Sequence, residues 1–261
     1  MSRKTKLWLI IATILVVIGC VIFASVMTVL KWDFSELSTD KFESNTYEIT
    51  DSFSNVSIIS DTADIIFKVS DNETCGLVCY EKENEKYSVF VQNDTLFVKI
   101  NPETKWYKLI GINFYSPKIT IFLPESDYNS ISVKGSTGDI DIQNISANVL
   151  DVSVSTGDVR FKNINCQNLT SKANTGDIYL ENVVATKELL IERTTGDVEF
   201  EKCDANEIFV KTSTGDVEGS LLTNKIFVVE TSTGDIEVPK TSNGGKCEIK
   251  TSTGDVEITV K

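Results

Sequence analysis

The stretch STGDV at residues 155–159 has six near-copies in this chain: STGDI at 136–140, NTGDI at 174–178, TTGDV at 194–198, STGDV at 213–217, STGDI at 232–236 and STGDV at 252–256. Their glycines, Gly138, Gly157, Gly176, Gly196, Gly215, Gly234 and Gly254, are spaced by 19, 19, 20, 19, 19 and 20 residues. A period this regular predicts a solenoid, each repeat being one coil stacked on the last. In Ser-Thr-Gly-Asp the glycine falls where a type II turn needs positive φ. The flanking Ser, Thr and Asp can hydrogen-bond backbone groups that a corner frees. Each coil must turn the same corner, so each repeats the same letters.

Outward from the corner the pattern is strand-like. Six residues before each TGD threonine stand Ile131, Leu150, Leu169, Leu189, Ile208, Phe227 and Cys247. Three after it stand Ile140, Val159, Ile178, Val198, Val217, Ile236 and Val256. Apolar residues alternate with Asp, Glu, Lys, Ser and Thr, the period of a strand with one buried face. A further corner is expected near Asn144, Asn163, Asn182 and Asp204. Nineteen residues at about 3.3 Å give a perimeter of about 60 Å around a dry core, and coils stack about 4.8 Å apart. Two residues break the pattern. Arg193 occupies an inward phase held elsewhere by Val154, Ala173, Thr212, Thr231 and Thr251, so either the strand bulges or Arg193 lies near a carboxylate. Gly219 replaces a large apolar residue and suggests a kink.

The fold class is therefore all-β, a β-solenoid with 19–20-residue coils, regular over 131–261. Residues 51–130 read as irregular early coils that cap it. There DTADIIFKV (61–69) is a degenerate repeat with Ala63 in the glycine place, and DTLFVKI (94–100) and PKITIFL (117–123) are strands. The chain ends on the strand VEITV, with no cap in view, so an open edge is expected there and a monomer or weak end-to-end dimer.

Ahead of the β-structure, residues 7–30 run LWLIIATILVVIGCVIFASVMTVL without a charge, about 36 Å of helix and enough to span a bilayer core of about 30 Å. The basic tail 1–6, with Arg3, Lys4 and Lys6, should stay cytoplasmic, which places the stalk 31–50 and everything after it outside. A signal peptide would have a shorter core and a small-residue cleavage site. VIGC, ending at Cys20, resembles a lipoprotein box, but the residues after it stay mostly apolar.

Composition excludes several chemistries. The formal net charge is −13, which argues against nucleic acid as a partner. There is no histidine, so His-based zinc sites and Ser-His or Cys-His catalysis are out. No cofactor is expected. Cys75 and Cys79 lie four apart, about 13 Å along a strand, too far for a disulfide.

The single span, the degenerate repeats ending in ITIFLP (119–124) and the TGD turns at 19–20 residues together resemble the bacterial putative-adhesin family of β-solenoids, which includes LiaG-like Gram-positive envelope proteins. The resemblance implies a right-handed β-helix-like solenoid, an extracytoplasmic location at the bacterial plasma membrane and an envelope-stress or signalling accessory role. It implies no particular chemistry.

Two candidate sites stand out. The aspartate column Asp139, Asp158, Asp177, Asp197, Asp216, Asp235 and Asp255 is either turn chemistry, each carboxylate accepting backbone N–H groups, or a calcium ladder. Catalysis by carboxylates needs one pair with differing environments, and these seven are nearly equivalent. The stretch WYKLIGINFYSPK (106–118) places Trp106, Tyr107, Phe114 and Tyr115 around an apolar centre, either as a contact loop or as a cover over the solenoid. The sequence thus predicts a non-enzymatic, membrane-anchored binding or structural protein whose partner is an envelope polymer or an envelope protein. A calcium-dependent adhesin is the alternative, and a polysaccharide-active enzyme is a more distant one.

Overall fold

The computed structural model describes residues 2–32, 41–71, 74–100 and 116–261. Helix α1 (Arg3–Val29) opens the chain. Ser2 caps it, its Oγ accepting the Thr5 N–H at 3.2 Å. The hydroxyls of Thr13, Ser25 and Thr28 donate to carbonyls four residues back, which leaves the helix surface apolar. Its 27 residues span about 40 Å. This length and composition suit one membrane span or a signal sequence.

Among the described residues from Phe42 onward the chain is mostly strand, in one 17-stranded sheet wound into coils. The middle of the solenoid comprises β8 (Asp127–Thr137), β9 (Ile140–Thr156), β10 (Val159–Thr175), β11 (Ile178–Thr195) and β12 (Val198–Lys211), each parallel to the next. The register puts like on like: Leu150 on Leu169, Leu169 on Leu189, Leu189 on Ile208. All four are fully buried, with Phe161, Ile164 and Val183 beside them. Each such side chain contributes about 1.5–3 kcal/mol by leaving water. No coil could bury its own inner face, so the stacking supplies the stability. The second corner holds left-handed residues, Asn144, Asn163 and Asn182, with φ of 55°, 54° and 53°. Their side chains form a ladder, Asn163 Nδ2 to Asn144 Oδ1 at 2.8 Å and Asn182 Nδ2 to Asn163 Oδ1 at 3.0 Å. The next residue in this column is Lys202 (φ 54°), not Asp204 as the sequence suggested. The β11–β12 register shifts between Ala185 and Glu188, where the 20-residue coil takes up its extra residue, and Asp204 pairs with Val184, past the corner. Gly219, on β13 (Val217–Leu221), adopts φ 135°, and the β12–β13 register shifts beside it, so the kink forms as expected.

The C-terminal coils do not stack in chain order. The strands β16 (Gly245–Lys250) and β17 (Val256–Val260) pair with β12 and β13 on one side. On the other side they pair with β14 (Lys225–Glu230) and β15 (Ile236–Glu237). The last coil is thus inserted beneath the one before it. VEITV is interior, and the open edge is β14 and β15, which corrects the expectation of a free C-terminal strand. The burial of the two coils differs accordingly. The last coil brings Cys247, Ile249, Val256 and Ile258, all buried, whereas Ile236 in the outer coil is 48% exposed. Gly244 and Gly245 allow the crossing. A Cβ on Gly244 would lie 1.7 Å from the Asn224 carbonyl oxygen, and one on Gly245 would lie 1.9 Å from that of Asn206.

A similar insertion closes the N-terminal end. The coil of β2 (Asn55–Ser60) and β3 (Asp64–Val69) lies between the coil of β6 (Thr95–Ile100) and β7 (Lys118–Leu123) and the first TGD coil. Ala63 stands under Gly138, in the glycine place of a degenerate repeat. Beyond β6 and β7 the sheet turns antiparallel: β5 (Tyr87–Gln92) covers β6, β4 (Cys75–Lys82) covers β7, and β1 (Phe42–Ile49) covers β4. One buried carboxylate joins this cap. Glu81 accepts the Tyr87 N–H at 2.5 Å through Oε2, and Asn45 Nδ2 at 2.7 Å and the Tyr47 hydroxyl at 3.3 Å through Oε1. All six cysteines are free thiols, and the five in the β-structure are buried.

Candidate functional site

The TGD corner is built by close backbone approach. The seven glycines have φ between 123° and 147°, well beyond the value of a type II turn and strained for any side chain. A Cβ on Gly157 would lie 2.1 Å from the Gly138 carbonyl oxygen, and one on Gly196 would lie 2.0 Å from that of Gly176. The glycine is therefore required twice, by its own dihedral and by its neighbour's carbonyl. The seven form one file, in the order 138, 157, 176, 196, 215, 254, 234.

This stacking brings the aspartate column together and commits one oxygen of nearly every member. Asp158 donates its backbone N–H to Asp139 Oδ1 at 2.9 Å, Asp177 to Asp158 at 2.9 Å, and Asp197 to Asp177 at 2.8 Å. Asp216 donates to Asp197 at 2.8 Å, Asp255 to Asp216 at 2.7 Å, and Asp235 to Asp255 at 2.8 Å. The ladder begins at Asp64, which accepts from Asp139 at 3.0 Å. The glycine N–H points the other way, to the threonine carbonyl of the next coil, as in Gly157 to Thr175 at 3.0 Å. The carboxylate thus supplies an acceptor where the sheet ladder has none. Among the described residues no group of three or more Asp, Glu, His or Cys converges as a metal site.

The inward column of Arg193, Thr212, Thr231 and Thr251 lies just inside the corner, and its hydrogen bonding was missed by sequence reasoning. Thr231 Oγ1 donates to the Gly254 carbonyl at 3.1 Å, Thr251 to Gly215 at 3.4 Å and Thr212 to Gly196 at 3.5 Å. Arg193 takes the same part with its Nη1, donating to the Gly176 carbonyl at 3.4 Å. Its Nη2 reaches Ser171 Oγ at 3.1 Å. Arg193 stays in register with Ala173, so the strand does not bulge; the small Ser171 and Ala173 make the room. Burial pulls its guanidinium down to about 10, partly offset by the charges of Asp158 and Asp177. Its signal in the sequence was a charge at an inward phase.

Trp106, Tyr107, Phe114 and Tyr115 lie outside the described residues.

Solved structures resemble this chain to differing degrees. A putative adhesin from Bacteroides fragilis superposes with a TM-score of 0.53 at 23% identity, over 84% of this chain and 97% of that one. A putative cell adhesion protein from Clostridium sporogenes gives a TM-score of 0.41 at 12% identity, over 85% and 100%. No curated protein matches the chain. Residues 53–261 match the Toastrack DUF4097 family, and the chain belongs to that family.

Proposed function

We propose that this is a membrane-anchored envelope protein whose solenoid binds or braces an extracytoplasmic component and performs no chemistry of its own. The observation that carries this reading is the commitment of the corner carboxylates to backbone N–H groups of neighbouring coils. The repeated acids hold the coils together, and the surface they leave is a set of straight side-chain columns suited to many weak, repeated contacts. The uncharged stretch in α1 and the basic residues before it support a single span with the N-terminus inside. The adhesin name of the Bacteroides fragilis relative agrees with a binding role. The resemblance to LiaG-like proteins adds a part in envelope stress. Full-length protein in nanodiscs, mixed with isolated cell-wall sacculi and then sedimented, tests the reading. Co-sedimentation is expected; its absence overturns the reading.

A calcium-dependent adhesin is the second reading. It is favoured by the exposure of most of the stacked aspartates, Asp139, Asp197, Asp216, Asp235 and Asp255 among them. A rise in melting temperature with millimolar calcium would support it.

A further inference from the structure

Charges stack in columns along the solenoid. On the face that follows the TGD corner, one outward column reads Asp141, Arg160, Tyr179, Glu199, Glu218, Glu257, Glu237. On the face that precedes it, the outward column three residues before each TGD threonine reads Lys134, Ser153, Lys172, Glu192, Lys211. Stacking extends this column with Lys99 beyond Ile59 at one end, and with Lys250 and then Glu230 beyond Lys211 at the other. In a chain of net charge −13, lysines thus recur about every second coil, roughly 10 Å apart.

The middle of this column borders a shallow groove of about 530 Å³ running across five coils, from Lys134 to Lys211, about 19 Å. Its floor is low because the inner column is small there, with Gly135, Val154 and Ala173. Lys172 is paired to Glu192 at 2.7 Å. Lys134 and Lys211 form no ion pair among the described residues; Lys211 stands in register between Glu192 and Lys250, and Lys250 is paired to Glu248 at 3.0 Å and Glu230 at 3.6 Å. An unmet demand lies in the floor. Arg193, 4% exposed, lines the groove, and its Nε has no hydrogen-bond partner among the described residues. A buried cation with an orphaned donor is costly, and a nearby anion relieves it.

We infer that this groove binds a linear anionic polymer laid along the solenoid axis, its carboxylate or phosphodiester groups meeting Lys134, Lys172 and Lys211 in turn. The inference rests on the binding role proposed above and names its ligand chemistry. Parallel columns suit a polymer because both repeat by translation. The Ser and Thr hydroxyls of the repeat, such as Ser155, Thr194 and Ser213, line the same groove and can hydrogen-bond sugar hydroxyls or phosphate oxygens.

The test uses full-length protein in nanodiscs of zwitterionic lipid, with polygalacturonate, polyphosphate and neutral dextran as probes. The K134Q/K172Q/K211Q variant is compared with K162Q, which removes a lysine from the opposite face. All three lysines of the groove are exposed, so the fold is expected to survive, which the thermal melt checks. Expected is salt-sensitive binding to one or both polyanions and none to dextran, weakened about tenfold or more in the triple variant and unchanged in K162Q. The polyanion that binds more tightly tells carboxylate from phosphate. Equal binding by wild type and triple variant overturns the groove. So does failure of both polyanions to bind wild type. If sacculi still co-sediment in either case, the general binding role stands without it.

Discussion

Asp255 donates its backbone N–H to Asp216 Oδ1 at 2.7 Å, across 39 residues of chain, while Asp235, nearer in sequence, lies one coil further out and bonds to Asp255 instead. The final coil is therefore an interior layer of the solenoid. A C-terminus in this position holds its neighbours on both faces, so changes near it act on the whole end of the molecule.

Cross-linking checks the order of the coils. Glu218 and Glu257 are Cα partners on adjacent strands, as are Glu257 and Glu237. Adjacent strands lie about 4.8 Å apart, within disulfide reach, and alternate strands about 10 Å, beyond it. The pair Glu218→Cys with Glu257→Cys is expected to oxidise to an intrachain disulfide. The pair Glu218→Cys with Glu237→Cys is not. Stacking in chain order would reverse both results.

The corner glycines should tolerate no side chain. Gly157→Ala combines φ of 146° with a Cβ 2.1 Å from a carbonyl oxygen, and relief requires two coils to separate. A loss of about 3 kcal/mol or more is expected in denaturant unfolding. Gly76→Ala, where a Cβ meets nothing within 4 Å, should change stability little by comparison.

The aspartate column separates its two readings by substitution. Asp177→Ala orphans the Asp197 N–H and is expected to cost about 1–2 kcal/mol, while Asp177→Asn keeps an acceptor oxygen and should cost less. With one oxygen of every carboxylate in the column but Asp235 engaged in this way, the melting temperature should be the same in chelator and in millimolar calcium. A clear rise with calcium would favour the cation ladder instead.

Alkaline pH should destabilise the fold. Burial pushes the thiols of Cys75, Cys79, Cys166 and Cys247 up to about 12, and that of Cys203 to about 11, from an ordinary value of 9.0. Above pH 9 the unfolded chain loses protons that the folded chain keeps, so stability is full below that point and falls as pH rises toward 12. The melting temperature is expected to hold between pH 6 and 8 and to drop from about pH 9 upward. Maleimide should leave these five thiols unlabelled at neutral pH until the protein is unfolded.

The N-terminal cap depends on Glu81. Replacing it with Leu strands the buried Tyr87 N–H and takes one acceptor from the half-buried Asn45 amide, which keeps Glu43, and from the Tyr47 hydroxyl, which keeps the Tyr87 carbonyl. A loss of about 3 kcal/mol is expected, with Glu81→Gln costing less because one acceptor remains. Denaturant melts of the two variants measure the difference.

The sequence by itself determined the coil. Glycine at a positive φ, an alternating apolar face and a fixed period are local properties, and together they leave a chain no choice but to wind around a shared interior. It determined that Gly138 and its six counterparts turn a corner at positive φ, the degenerate corner at Ala63 and the kink at Gly219; that the corner is not a type II turn, and that each glycine also makes room for a neighbouring coil's carbonyl, came only with the stacking. It left the aspartates open between a turn and a cation site, since an acceptor and a ligand are the same carboxylate until its neighbour is seen. Only the tertiary structure decided which coil lies on which. Every coil presents the same ladder of N–H and C=O groups, so the repeat cannot encode its own order. That order shows in burial: the coil with Cys247, Ile249, Val256 and Ile258 lies inside, and Gly244 and Gly245 let it pass. The column that brings Lys250 next to Lys211, and the inward Arg193 beneath Asp158 and Asp177, exist only once that order is fixed.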